Sequence, residues 1–195
     1  MVNINEIIGK ETERIKQGGA ADDNRVYIST PDARSILARG IRHFVGPNAV
    51  WLDEYEQVAE WLSDNKGKGL LCVGNCGRGK TVICQQVLPV IFQHWHRLIM
   101  NTTTAIELKD RFDELKQYKI ISIDDLGTES VANDFGTRRN FTQELIDEAE
   151  RKQKLLVLST NLNEKELTEK YDIRTMDRLR ALTKVVIFNG ESLRK

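Results

Sequence analysis

Residues 70–81 read LLCVGNCGRGKT, and no other stretch of the chain restricts its fold as strongly. An apolar run leads into Gly74. Gly74, Gly79, Lys80 and Thr81 then satisfy the spacing G-x-x-x-x-G-K-[ST], with Gly77 adding a flexible position inside the loop. A helical pattern, Ile83, Val87 and Ile91, follows. Strand, loop and helix in that order are what the chemistry requires. Successive backbone N–H groups of a glycine-rich turn point inward and meet the positive end of the helix, which makes a concave anion site. On this reading Gly74, Asn75, Cys76, Gly77, Arg78, Gly79, Lys80 and Thr81 cradle phosphates. Lys80 reaches the β- and γ-phosphates and the Thr81 hydroxyl ligates Mg²⁺. Cys76 fills a variable position and is given no chemical role. The plain alternative is a glycine-rich turn beside an exposed lysine, and the apolar run before it and the helical pattern after it count against that.

Short apolar runs at 70–73, 97–100, 119–123, 154–158 and 184–188 alternate with helical patterns such as Leu108/Phe112/Leu115 and Phe141/Leu145/Ala149. The runs seldom alternate polar with apolar residues, so the strands they predict are covered on both faces. That means a parallel sheet between layers of helices, an α/β fold. Two helices are expected before the first strand. One carries Ala33, Ile36, Leu37, Ile41 and Phe44 on one face and is stopped by GPN at 46–48; the other carries Tyr55, Val58, Ala59 and Leu62. The 195 residues divide into an N-terminal helical tail and linker, 1–30, and one domain, 31–195. Within the tail, residues 3–17 are weakly amphipathic and suit either a helix-in-groove contact with a partner or packing on their own domain.

Several function classes fall away. No apolar run approaches the roughly 18 residues of a membrane span, and the charged N-terminus lacks the apolar centre of a signal peptide, so a cytoplasmic protein is expected. Cys72, Cys76 and Cys84 lack paired spacing, which favours inert thiols over disulfides or zinc. Lys+Arg and Asp+Glu are each 29, so any nucleic-acid contact must come from a local patch. His94 and His96 flank Trp95 where a helix runs into a strand, and metal binding there is not expected.

KIISIDDLG, residues 119–127, is an apolar strand ending in two carboxylates. Asp124 is the metal-side residue and Asp125 the candidate base that polarises an attacking water. Read as D-x-x-G, the same residues suggest a guanine nucleotide, but the chain has no [NT]-K-x-D sequence to hold guanine, so ATP is the better expectation. KLLVLSTNL, residues 154–162, is another buried-type strand, and its Asn161 is the candidate γ-phosphate sensor. In YDIRTMDRLRALTK, Arg174 and Arg178 share a helix face while Arg180 turns away. They form either a solvated face paired with Asp172 and Asp177 or a source of one arginine for a neighbouring subunit's nucleotide. Arg138 and Arg139 are expected to open the helix after the acidic motif, as surface residues or as contacts to DNA phosphates.

Taken together, GNCGRGKT, IISIDDLG, LLVLSTNL and IRTMDRLR resemble the AAA+ ATPases of the DnaC/DnaI helicase-loader group and the IstB transposition helpers. The resemblance covers roughly residues 50–195. It implies a P-loop NTPase with a five-stranded parallel sheet in the order 5-1-4-3-2. It further implies ATP bound between subunits of an open ring or spiral, and single-stranded DNA along the inner surface. By position, Lys80 and Thr81 are the phosphate and metal contacts, Asp124 and Asp125 the second acidic motif, and Asn161 the sensor. Arg178 matches the finger arginine, with Arg174 the alternative. The implied partner is a replicative DNA helicase, or a transposase for a transposition helper. Three departures stand out. Only about 50 residues precede the core, where loaders carry a helicase-gripping module. There is room for one helix between Asn101 and Lys119. The sequence stops soon after the last strand, so the helical lid domain of most AAA+ proteins is expected to be missing, as in the loader group. A rival from another class is a module that binds ATP without turnover, because Asp125 stands where glutamate is commoner. A small-molecule kinase lacks an evident arginine-bearing lid.

Overall fold

The computed structural model describes residues 23–129, 132–134 and 137–193. Helices α1 (Ala33–Val45) and α2 (Asp53–Ser63) precede strand β1 (Gly69–Gly74). Helix α3 follows, in the segments Val82–Val87, Leu88–Ile91 and Phe92–His96, and then β2 (Asn101–Thr104), α4 (Leu108–Leu115) and β3 (Ile120–Asp124). A small antiparallel hairpin, β4 (Ala132–Asp134) and β5 (Thr137–Arg139), leads to α5 (Phe141–Arg151), β6 (Leu155–Thr160), α6 (Glu164–Leu182) and β7 (Thr183–Phe188).

Five strands pair in parallel in the order β2-β3-β6-β1-β7. Numbered along the chain without the hairpin, this is the expected 5-1-4-3-2 sheet of a P-loop NTPase fold. Because side chains alternate across a strand, the apolar runs of β1, β3 and β6 feed two cores. Leu70 and Cys72 of β1, with Leu155 and Val157 of β6, pack under α1, α2 and α3. Leu71, Val73, Leu156 and Leu158 face α4, α5 and α6. On the edge strand β7, Val186 and Phe188 are buried in the first core, whereas Val185 and Ile187 stay exposed.

Three local features differ from expectation. The second strand is not 97–100 but the polar Asn101–Thr104, at the sheet edge. The helix before it continues through His96, and Arg97 ends it in a left-handed conformation with φ 59°. Ile99, counted as strand core, is exposed. Phe44, counted on the buried face of α1, is also exposed. Arg138 and Arg139 lie in β5 rather than opening a helix; α5 begins at Phe141, where the Asn140 side chain accepts from the Gln143 N–H at 3.2 Å. Pro89 accounts for the wide winding of α3. It has no N–H for an i→i−4 bond, and the turns around it take i→i−5 bonds, as from Leu88 N–H to Ile83 O.

The amphipathic stretch 3–17 and the glycine pair of the linker lie outside the described residues. Between Val26 and Thr30 the chain is tied to the end of α2 and the turn after it. Asn65 Oδ1 accepts from Ile28 N–H and its Nδ2 donates to Val26 O, both at 2.9 Å, so Ile28 joins the first core. His96 shares a 2.8 Å hydrogen bond with Thr30 Oγ1, which gives this histidine a structural task. Among the described residues, no group of three or more His, Cys, Asp or Glu is arranged to hold a metal, and no helix is long and apolar enough to cross a membrane.

Near the end of α5, Glu148 pairs with Lys152 at 2.6 Å and with Arg151. The Lys152 hydrogen bond, then that of Arg151, holds its carboxyl at about 2. The unfolded chain therefore takes up this proton first on acidification, so the stabilisation is present above the ordinary carboxylate range and is lost as pH falls toward 2. Thermal melts of wild type and Glu148→Gln should differ at neutral pH and converge in strong acid. A difference that holds constant with pH would show that the ion pair is not its source.

Candidate nucleotide site at the carboxyl rim of the sheet

The phosphate loop links β1 to α3, and Gly74, Gly77 and Gly79 all take positive φ there. At Gly79, φ is 86° and an added Cβ would fall 2.5 Å from the Tyr55 hydroxyl, so both backbone and space exclude a side chain. That hydroxyl donates to Arg78 O at 2.9 Å, and burial, with the Glu54 charge adding to it, pushes it up to about 12, which keeps it a donor.

Lys80 is only 5% exposed. Its ammonium donates to Gly74 O and Asn75 O, both at 2.7 Å, and to Asn161 Oδ1 at 2.9 Å. Burial lowers its pKa, and nearby thiols and the carboxylates of Asp125 and Asp124 oppose that. Asn161, just past β6, also donates through Nδ2 to Asp125 Oδ1 at 3.0 Å. The Thr81 hydroxyl lies 3.2 Å from Asp124 Oδ1. Strand ends β1, β3 and β6 thus bring Lys80, Thr81, Asp124, Asp125 and Asn161 into one network.

Ser159, at the end of β6, is the residue that sequence reasoning passed over. Its hydroxyl donates to Asp124 Oδ1 and accepts from the Asp125 N–H at 3.1 Å, so it fixes both acids. The signal was its place beside Asn161 in STNL. Asp125 adopts φ 54°, an uncommon conformation for a residue with a side chain.

Asn75 and Arg78, counted among the cradle residues, use their side chains elsewhere. Asn75 Nδ2 donates to Gly190 O at 3.0 Å, and Arg78 Nε donates to Glu54 at 2.8 Å in an ion pair that is largely buried. Cys76 is exposed beside the cavity; Cys72 and Cys84 are buried, with sulfurs 3.7 Å apart and no disulfide. The cavity at the loop measures ≈ 280 Å³. Its lining includes the polar Lys80, Thr81, Asp125 and Asn161 and the apolar Ile41, Val45, Ala49, Val50 and Leu193. A wider hollow of ≈ 1320 Å³ lies at the other rim, near Lys119 and Lys154, and contains none of these residues. The smaller one is the candidate site, because it is lined by the residues of the Lys80 network.

Both candidate finger arginines lie on α6 beyond a break at Asp172, whose φ is 70°. Arg178 is bound to Glu150 at 2.6 Å and to Asp147, both on α5, rather than to Asp172 or Asp177. Arg174 is exposed and has no ion pair among the described residues. Arg180 pairs with Glu164 and Asp177.

No family model and no curated protein matches the chain. Solved structures do. The crystal structure of DnaI is 17% identical with a TM-score of 0.57, over 83% of this chain and 96% of that one. The crystal structure of the DnaC helicase loader is 19% identical with a TM-score of 0.50, over 84% and 94%. AMPPCP-bound DnaA from Aquifex aeolicus is 11% identical with a TM-score of 0.54, over 74% and 49%. At such identities the likeness establishes the architecture. The chain has the P-loop NTPase fold.

Gly79→Ala should lower stability by at least about 1 kcal/mol, since alanine must take both a left-handed backbone and the Tyr55 contact. An unchanged urea midpoint would show that the loop adapts freely.

Proposed function

We propose that this chain binds ATP with Mg²⁺, hydrolyses it when assembled with further copies, and acts as a loader of a replicative helicase on single-stranded DNA. The observation that carries the ATP reading is the Lys80 network. A buried ammonium bridges the phosphate loop and Asn161, which in turn holds Asp125. The loader part draws support from the four sequence motifs and from the likeness to DnaI and the DnaC helicase loader.

In this reading Lys80 neutralises phosphate oxygens and Asn161 holds the terminal phosphate in register with Asp125. Asp125 orients and deprotonates the attacking water. The donor set of the Thr81 hydroxyl and the Asp124 carboxylate consists of hard oxygens, which fits Mg²⁺. Bound there, the metal ion supplies charge neutralisation on the phosphates. The apolar wall of Ile41, Val45 and Val50 suits a purine base without a dedicated guanine contact.

The arginine acting in trans comes from the pair on α6. Arg178 holds the position that the sequence favours and would exchange its own carboxylates for a neighbour's phosphate. Arg174 needs no exchange. Either way a lone subunit is a poor ATPase.

Lys80→Ala should abolish ATP binding in a titration with labelled nucleotide and Mg²⁺. Arg178→Ala should retain binding yet lower assembly-dependent hydrolysis by roughly 10³–10⁵, about 4–7 kcal/mol in barrier. Full turnover in Arg178→Ala assemblies alongside loss in Arg174→Ala would move the role to Arg174. Phosphate release that is absent in every assembled state would favour ATP as a structural ligand instead.

A further inference from the structure

The phosphate loop is gripped from outside as well as from the sheet. After β7 the chain runs along the loop. Asn75 N–H donates to Phe188 O, Asn75 Nδ2 to Gly190 O and Leu193 N–H to Gly77 O, each at 3.0 Å; Arg78 Nη1 donates to Glu191 O at 3.2 Å. Gly77 is where the two segments touch: its φ is 78°, and a Cβ there would come within 2.0 Å of Ser192 Oγ. At the end of this run Leu193 lines the cavity with Ile41, Val45, Ala49 and Val50, and is still 45% exposed.

Among the lining residues Lys80, Asn161 and Asp125 are joined by hydrogen bonds and suit a triphosphate, which leaves the apolar lining for its nucleoside. We propose that residues 189–193 form the outer wall of the nucleotide site, and that Leu193 is a positioning residue packing on the nucleoside of the bound nucleotide. The proposal rests on the nucleotide-binding reading above and adds a distinction to it. The nucleoside, not the phosphate chain, is what the segment senses. Covering about half of the leucine's exposed remainder with a ring system removes apolar surface from water and strengthens binding about fivefold. The Leu193 N–H and Gly77 O bond becomes shielded at the same time, so the segment opens less often. Arg78, a motif residue without a phosphate-facing side chain, then acts as the tie between α2 and this wall.

The test compares ATP with inorganic tripolyphosphate, each with Mg²⁺, by calorimetry on wild type, Leu193→Ser and Leu193→Met. Serine should raise the Kd for ATP about fivefold, leave that for tripolyphosphate unchanged, and be rescued by methionine. Amide exchange over residues 189–193 should slow with ATP and not with tripolyphosphate. An unchanged ATP affinity in Leu193→Ser overturns the wall and leaves ATP binding standing. An equal loss for both ligands also overturns it, because the segment would then only brace the loop. Wild type that takes up no ATP removes the underlying reading and this one with it.

Discussion

An ammonium group withdrawn from water must find acceptors, and at Lys80 that demand organises the rim of the sheet. Two acceptors are carbonyls at the end of β1, and the third belongs to Asn161, 81 residues further on. They meet only because β6 is the hydrogen-bonded neighbour of β1. The same insertion sets β3 on the far side of β6, where Ser159 spans Asp124 and Asp125. A sheet that paired β1 with β2 would separate Lys80 from Asn161 and Asn161 from the acids. Strand order, not any single contact, makes this a site at the carboxyl ends of the strands.

The acid end is fastened in turn to α6. Lys170 donates to Gly127 O and to Glu129 O at 2.7 Å, and the buried Tyr171 hydroxyl donates to the Glu129 carboxylate. Burial, and then the Glu129 charge, raises the Tyr171 pKa, so that bond keeps its proton. One residue later the helix breaks at Asp172. Its carboxylate accepts from Thr175 N–H at 2.8 Å and restarts the helix that carries Arg174 and Arg178. The loop after Asp125 and the arginines are therefore parts of one hydrogen-bonded body.

Much of this was legible in the chain. The apolar runs at 70–73, 119–123 and 154–158 fall within two residues of the observed strands because each is buried on both faces, and 184–188 does so although its edge strand is buried on one face only. β2 was not legible, for the opposite reason. It is a polar, half-exposed edge strand held by its β-branched threonines, while the neighbouring Leu98, Ile99 and Met100 belong to a connection. The glycine loop announced Lys80 and Thr81 because the spacing dictates the geometry. It said nothing of Arg78, whose partner Glu54 lies on another helix, nor of Ser159, whose task is visible only when β3 and β6 lie side by side. Contacts between distant segments carry no local period.

The strained and buried groups at the rim point the same way. Asp125 holds a left-handed backbone that most side chains avoid, and Lys80 carries a charge satisfied chiefly by neutral oxygens. A protein selected for stability alone would have glycine at the first position and an apolar residue at the second. Two full cores, one on each face of the sheet, offset that cost. Phosphate oxygens would replace neutral acceptors at Lys80 with charged ones, which makes stronger bonds in the same geometry. A phosphate ligand that improved a contact the folded state already makes would stabilise that state through Lys80.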